Sequence, residues 1–168
     1  AAQLLDWLYK KHALTWEEMK NLPKDLPAKI SATHTVAPLQ FEEECWAPGK
    51  ETAKFLLKTS DGHLLESVLI SQRDRQTVCV STQLGCGVRC PFCASGKTGL
   101  LRNLTAGEII SQVAWVAKKS GRAVTNVVFM GMGEPLDNFD EVMKALEILT
   151  AQWGFEMGGR KITVSTSG

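Results

Sequence analysis

The sequence predicts an α/β fold: a small N-terminal helical unit with a β-hairpin, then strands alternating with helices around a parallel sheet. Three observations predict it. Apolar residues at helical spacing, broken by prolines, make a small helical unit of the first 30 residues. An Asp-Gly pair then sits between two apolar runs, the strongest short hairpin signal. Beyond residue 76, β-branched strands alternate with helix patterns of about 12–15 residues, the rhythm of βαβ units.

Taken in order, residues 4–20 space Leu4, Leu5 and Leu8 on one helical face beside Trp7. Thr15 followed by Glu18 is a capping-box pattern for a second helix, and Pro23 and Pro27 end the unit. From about residue 39 the texture becomes strands. Lys54–Lys58 and Leu64–Ile70 flank Ser60-Asp61-Gly62, where glycine tolerates the positive φ of the turn. Thr77–Thr82 reads as a strand, followed by a loop rich in Gly and Cys. Thr105 with Glu108 caps a helix over about 106–119, and Asn126–Met130 is a buried strand. Asn138 with Glu141 caps a helix reaching about Gln152, and Lys161–Ser165 is a third strand. A boundary near 71–76 divides residues 1–71 from residues 72–168.

Composition excludes several classes. At 168 residues, 44% hydrophobic and 22% charged, the chain is neither collagen-like nor disordered. No apolar run approaches a membrane span, and the first residues have no secretory-leader pattern. The missing initiating Met and the strand-like end, Lys161–Gly168, lead to the expectation of a piece of a longer protein. Net charge is only +1, but residues 73–122 carry eight basic against two acidic residues. Such a stretch is compatible with phosphate contacts, but charge alone favours a solvated face.

Five cysteines are present, and Cys86, Cys90 and Cys93 fall within eight positions. An odd, clustered set is not a disulfide framework; it suggests metal or cluster binding in a reducing compartment. The spacing is C-x3-C-x2-C with Phe92 before the last thiol, directly after the first strand of the βα region. Three thiolates can hold three irons of a cubane and leave the fourth open to a chelating ligand. Zinc is the competing reading. It needs a fourth ligand from Cys79, Cys45, His34 or His63, because no second C-x-x-C pair exists.

This loop resembles the signature of radical S-adenosylmethionine (SAM) enzymes. Val80–Cys93, Arg102–Glu108, Thr125–Asn138 and Ile162–Gly168 narrow the resemblance to bacterial RNA adenine-C2 methyltransferases of the RlmN/Cfr type. Leu4–Tyr9 and Glu18–Leu26 are similar to that family's helical accessory domain. The resemblance implies that residues 72–168 are the first half of a partial (βα) radical SAM barrel, truncated after the third strand. It implies that Cys86, Cys90 and Cys93 hold a 4Fe–4S cluster whose open iron binds SAM, and that an electron then cleaves SAM to a 5′-deoxyadenosyl radical. Gly133 and Glu134 match the loop that contacts the methionine end of SAM, and Ser165 matches a further SAM contact. Glu66 matches the family's proton acceptor, a role that suits a buried carboxylate of raised pKa.

The implied reaction moves a methyl from SAM to a cysteine beyond this chain, and from there to C2 of an adenosine. The implied partners are 23S ribosomal RNA, transfer RNA and a flavodoxin-like electron donor, in a monomeric cytoplasmic enzyme with no membrane association. A radical SAM enzyme with another substrate, and a zinc or nucleic-acid-binding module, are the alternatives.

Overall fold

The computed structural model describes residues 1–168. Eight strands and five α-helices form, with short 3-10 and π turns between them. The strands are β1 (Leu39–Trp46), β2 (Thr52–Thr59), β3 (Leu64–Gln72), β4 (Arg75–Cys79), β5 (Gln83–Leu84), β6 (Arg102–Asn103), β7 (Asn126–Phe129) and β8 (Ile162–Val164). The helices are α1 (Ala2–Leu5), α2 (Leu26–Ile30), α3 (Ala94–Thr98), α4 (Ala106–Ser120) and α5 (Phe139–Thr150).

One six-stranded sheet runs in the order β1-β2-β3-β4-β7-β8. Its first four strands are antiparallel neighbours, whereas β4, β7 and β8 run parallel. The change of direction follows from the connections. The short turns between β1, β2, β3 and β4 can join only antiparallel strands, whereas the α4 and α5 crossovers return the chain for parallel pairing. The expected boundary near residues 71–76 falls at the Arg73-Asp74 turn, through which the sheet is continuous. The sheet therefore contains the parallel half-barrel steps that the alternating pattern predicts.

The core lies between this sheet and the two long helices. Period-two alternation along β2 buries Ala53, Phe55, Leu57 and Thr59, and β3 adds Leu65, Ser67 and Leu69. These meet Ile109, Val113 and Val116 of α4, while Val142, Ala145 and Leu149 of α5 complete the cluster. The opposite sheet face carries Lys54, Leu64, Glu66 and Ile70, all exposed. No helix covers it. A smaller cluster, Ala13, Met19 and Leu22, holds the N-terminal unit together. His12 and Tyr9 dock that unit on Phe155 beyond α5. No helix is long and apolar enough to cross a membrane.

Two capping expectations fail. Thr15 precedes only a single 3-10 turn, Trp16–Glu18, and its side chain caps nothing. Three residues cannot repay helix nucleation before Pro23 ends the segment. Asn138 stands at the start of α5 but makes no cap there. Its amide is recruited elsewhere, donating to the carbonyls of Thr82 and Leu104 at 2.8 Å each. Glu141 instead accepts from the Ala106 amide at 2.7 Å, serving the N-terminus of the neighbouring α4. The Thr105–Glu108 capping box forms as expected, with Glu108 accepting from the Thr105 amide at 2.9 Å.

Candidate functional site

The parallel strands β4, β7 and β8 end on one side of the sheet, and the loops following them meet there. This is the end at which βα barrels build their sites. The loop after β4 is braced first. Ser81 sits wholly buried between three elements. Its amide donates to Gln112 Oε1 of α4 at 2.8 Å, and Gln112 Nε2 returns a bond to the Ser81 carbonyl at 2.9 Å. The Ser81 hydroxyl donates to the Glu66 carbonyl at 2.9 Å and accepts from the Met132 amide at 3.0 Å. One serine thus ties the hairpin, the β4 exit and the β7 exit together.

The cysteine loop grows from a two-stranded base. Leu84 of β5 pairs with Arg102 of β6, and the Cys86 amide donates to the Gly99 carbonyl at 3.2 Å. Gly85 has φ +75°, and a Cβ there would lie 1.7 Å from the Gly99 oxygen, so only glycine closes this base. Cys93 stands at the N-terminus of α3. The amide of Gly96, then that of Ser95, holds its thiol below the usual cysteine range. Cys86, Cys90 and Cys93 are all free and half-buried, while Phe92 is 91% exposed at the loop tip.

No three His, Cys, Asp or Glu side chains converge on a single-ion site. Three thiols on one loop, one of them already favoured as thiolate, fit a 4Fe–4S cluster with one open iron.

The β7 exit, Gly131–Asn138, lies against the β4 exit. Gly133 has φ +99°, and a Cβ there would lie 2.6 Å from Gln83 Cβ. Glu134 follows, 7% exposed, with its amide donating to Gln83 Oε1 at 2.9 Å. Its carboxylate accepts from the Leu136 amide at 3.0 Å and the Ser167 amide at 2.9 Å. Burial pushes this carboxyl up, but the two amides, helped by the side chains of Thr166 and Ser167, outweigh it. The carboxyl is held below its usual range. Glu134 therefore joins the β7 exit to the β8 exit. Ser165 lies beside this junction with an exposed side chain, its amide donating to the Phe129 carbonyl at 3.4 Å. The residues of this exit that meet Glu134 are Thr166 and Ser167, one and two positions on.

Glu66 is placed differently from the expectation of a buried carboxylate. Its side chain is 52% exposed and pairs with Lys54 Nζ at 3.0 Å. The reason is its register: alternation puts Leu65 and Ser67 in the core and Glu66 on the uncovered face. Its backbone is nonetheless tied through Ser81 to the cysteine-loop strand.

The basic stretch does not form one patch. Arg89, Lys97 and Arg102 lie at the cysteine-loop end. Arg73, Arg75 and Arg122 gather at the other end of the strands, where Arg122 donates to Ser71 Oγ at 2.5 Å and to the Lys50 carbonyl at 3.2 Å. Arg122 also stacks on Trp46, 5.4 Å from the ring centre. Sequence reasoning missed Ser81, Gln83, Gln112 and Ser167, each of which has a partner more than 30 positions away.

Three parallel strands with a three-thiol loop after the first of them define a class. The family model for the Radical SAM superfamily matches residues 80–168, and the chain belongs to that superfamily. It is similar along its whole length to curated proteins of one kind. The "Probable dual-specificity RNA methyltransferase RlmN" of Clostridium botulinum (strain Alaska E43 / Type E3) is 45% identical over 168 residues, 100% of this chain and 48% of that protein. The "Dual-specificity RNA methyltransferase RlmN" of Nautilia profundicola is 46% identical, over 99% of this chain and 51% of that protein. A crystal structure of a radical SAM methyltransferase from Sphaerobacter thermophilus superposes with a TM-score of 0.95 at 45% identity. It covers 99% of this chain and 50% of that one. The chain spans about half the length of the curated relatives it matches.

Proposed function

We propose that this chain is the N-terminal part of a longer radical SAM methyltransferase that methylates C2 of an adenosine in 23S ribosomal RNA and in transfer RNA. The carrying observation is the three-thiol loop rising from the end of β4 beside the Gly131–Pro135 turn, in a chain similar throughout to RlmN proteins. The longer enzyme works as a cytoplasmic monomer with a flavodoxin-like electron donor, and a cysteine beyond this chain carries the methyl group.

Cys86, Cys90 and Cys93 hold the 4Fe–4S cluster. When bound, the cluster supplies an electron to SAM and so starts hydrogen abstraction. The protein's own residues prepare that site. The amides of Ser95 and Gly96 favour the Cys93 thiolate needed for ligation. Gly133 lets the backbone approach the methionine end of SAM closely, Glu134 receives its amino group, and Ser165 adds a hydroxyl contact. Glu66 accepts the proton released from the adenine ring, reaching it from the uncovered sheet face.

Anaerobic reconstitution of the longer enzyme tests this. A brown protein with about four irons and four sulfides per chain is expected. RNA treated with SAM and reductant should then contain 2-methyladenosine by mass spectrometry. A colourless protein with one zinc would overturn the cluster assignment. An iron–sulfur protein that leaves RNA unmethylated would favour another radical SAM substrate.

A further inference from the structure

The geometry points to Arg102 as a positioning residue that sets the β2–β3 hairpin, and with it Glu66, against the base of the cysteine loop. Arg102 belongs to β6, paired with Leu84 two residues before Cys86. Its guanidinium reaches in two directions. Nε and Nη2 donate to the two Asp61 carboxylate oxygens at 2.7 and 3.0 Å. Nη1 and Nη2 donate to the two Glu108 oxygens at 2.9 and 2.8 Å, and Nη1 also donates to the Asn103 carbonyl at 2.9 Å. These five bonds use the five N–H donors that a guanidinium owns.

Each partner belongs to a different element. Asp61 is the tip of the hairpin, steadied by the Thr59 hydroxyl at 2.5 Å. Glu108 is the capping-box residue of α4, already bonded to the Thr105 amide. Arg102 therefore joins the hairpin tip, the cysteine-loop base and the first turn of the helix behind them. Five residues beyond Asp61 on β3 stands Glu66, whose own carbonyl is held by Ser81. The hairpin is thus pinned at its tip by Arg102 and along its length by Ser81, both of them on segments that lead into or out of the cysteine loop. Two bidentate pairs on one planar group fix orientation as well as distance, and lysine cannot reproduce them. The consequence for the reaction rests on the proton-accepting role proposed for Glu66.

R102K and D61N in the longer enzyme separate the possibilities. D61N changes an exposed turn and leaves the Glu108 half of the grip intact, so it serves if R102K fails to fold. Hydrogen exchange should quicken roughly tenfold at the Gly62 and His63 amides, which bond to Thr59 in the hairpin turn. Turnover should fall roughly tenfold while iron content and the KM for SAM stay within about twofold, the split expected when reacting groups are displaced but binding is kept. Unchanged exchange in both variants would overturn the clamp, and unchanged turnover would overturn its role in the reaction. If the unsubstituted enzyme methylates no RNA, the functional reading has failed, yet faster exchange in either variant still supports the clamp.

Discussion

The Gln83 side chain receives the Glu134 amide at 2.9 Å while its Cβ and Cγ carbons fill the space where Gly133 has no side chain. Gln83 is fully buried, and its Nε2 donates to Asn103 Oδ1 at 2.8 Å. One amide side chain thus spaces the β4 exit, the β7 exit and the return strand of the cysteine loop.

Replacing Gly133 with Ala puts a methyl group into that contact at a positive φ. Strain of this kind costs about 1–3 kcal/mol. G133A should lower the unfolding free energy by that amount, seen as a lower urea midpoint with an unchanged m-value. An unchanged midpoint would show that the turn relaxes freely.

Glu134 makes a pH prediction whose sign follows from its neighbours. Its folded pKa is depressed, so its contribution to stability is present above the unfolded value, about 4.3, and is lost as pH falls through the folded value. E134Q should be less stable at pH 7 and should lose less stability than the parent between pH 5 and pH 3, in roughly that window. Parallel acid limbs in urea titrations of the two proteins would contradict this.

His12 behaves in the opposite chemical sense. Burial, then the Lys118 charge, lowers its folded pKa, and its ring stacks on Phe155 at 5.3 Å. The unfolded chain therefore takes up the proton first as pH falls. Stability is present above the unfolded value, about 6.5, and is lost as pH drops from there toward the folded value. The docked N-terminal unit should loosen over that range, seen as a change in the fluorescence of Trp153, which packs on Tyr9 at 5.9 Å. H12N, which tolerates the residue's φ of +52°, should flatten the change.

The three thiols should each be necessary. Serine at position 86, 90 or 93 should remove most of the iron from the reconstituted longer enzyme, measured by colorimetric iron and sulfide analysis. In the metal-free folded protein, Cys93 should react with an alkylating reagent at lower pH than it does in the urea-unfolded chain, because the Gly96 and Ser95 amides hold its thiol down. The same Cys93 pH profile in both states would contradict that.

Phe55 tests the core. It is fully buried among β-strand and α4 side chains, and F55A should cost about 3–5 kcal/mol. A smaller loss in thermal or urea unfolding would mean that the sheet collapses into the cavity.

Much of this was legible from the residues in order. Ser60-Asp61-Gly62 announced the hairpin, Thr105 and Glu108 announced α4, and Cys86, Cys90 and Cys93 marked the loop that follows the first parallel strand. Each signal works over a few residues, within reach of local backbone geometry. The Asn138–Glu141 pair failed for the same reason. Its local pattern was sound, but Thr82, Leu104 and Ala106 offered better partners from elsewhere in the chain.

By itself the sequence determined the class of fold, the order of its elements and the placing of three cysteines on one short loop. Those follow from periodicity, turn chemistry and spacing, which need no knowledge of distant neighbours. The tertiary structure alone decided that Glu66 faces an uncovered sheet surface, that the basic stretch divides between two ends of the sheet, and that Glu134 bridges two strand exits. It also brought Arg102 to Asp61 across 41 positions of chain. These are matters of which groups meet after burial, and burial depends on the packing of the whole sheet against α4 and α5.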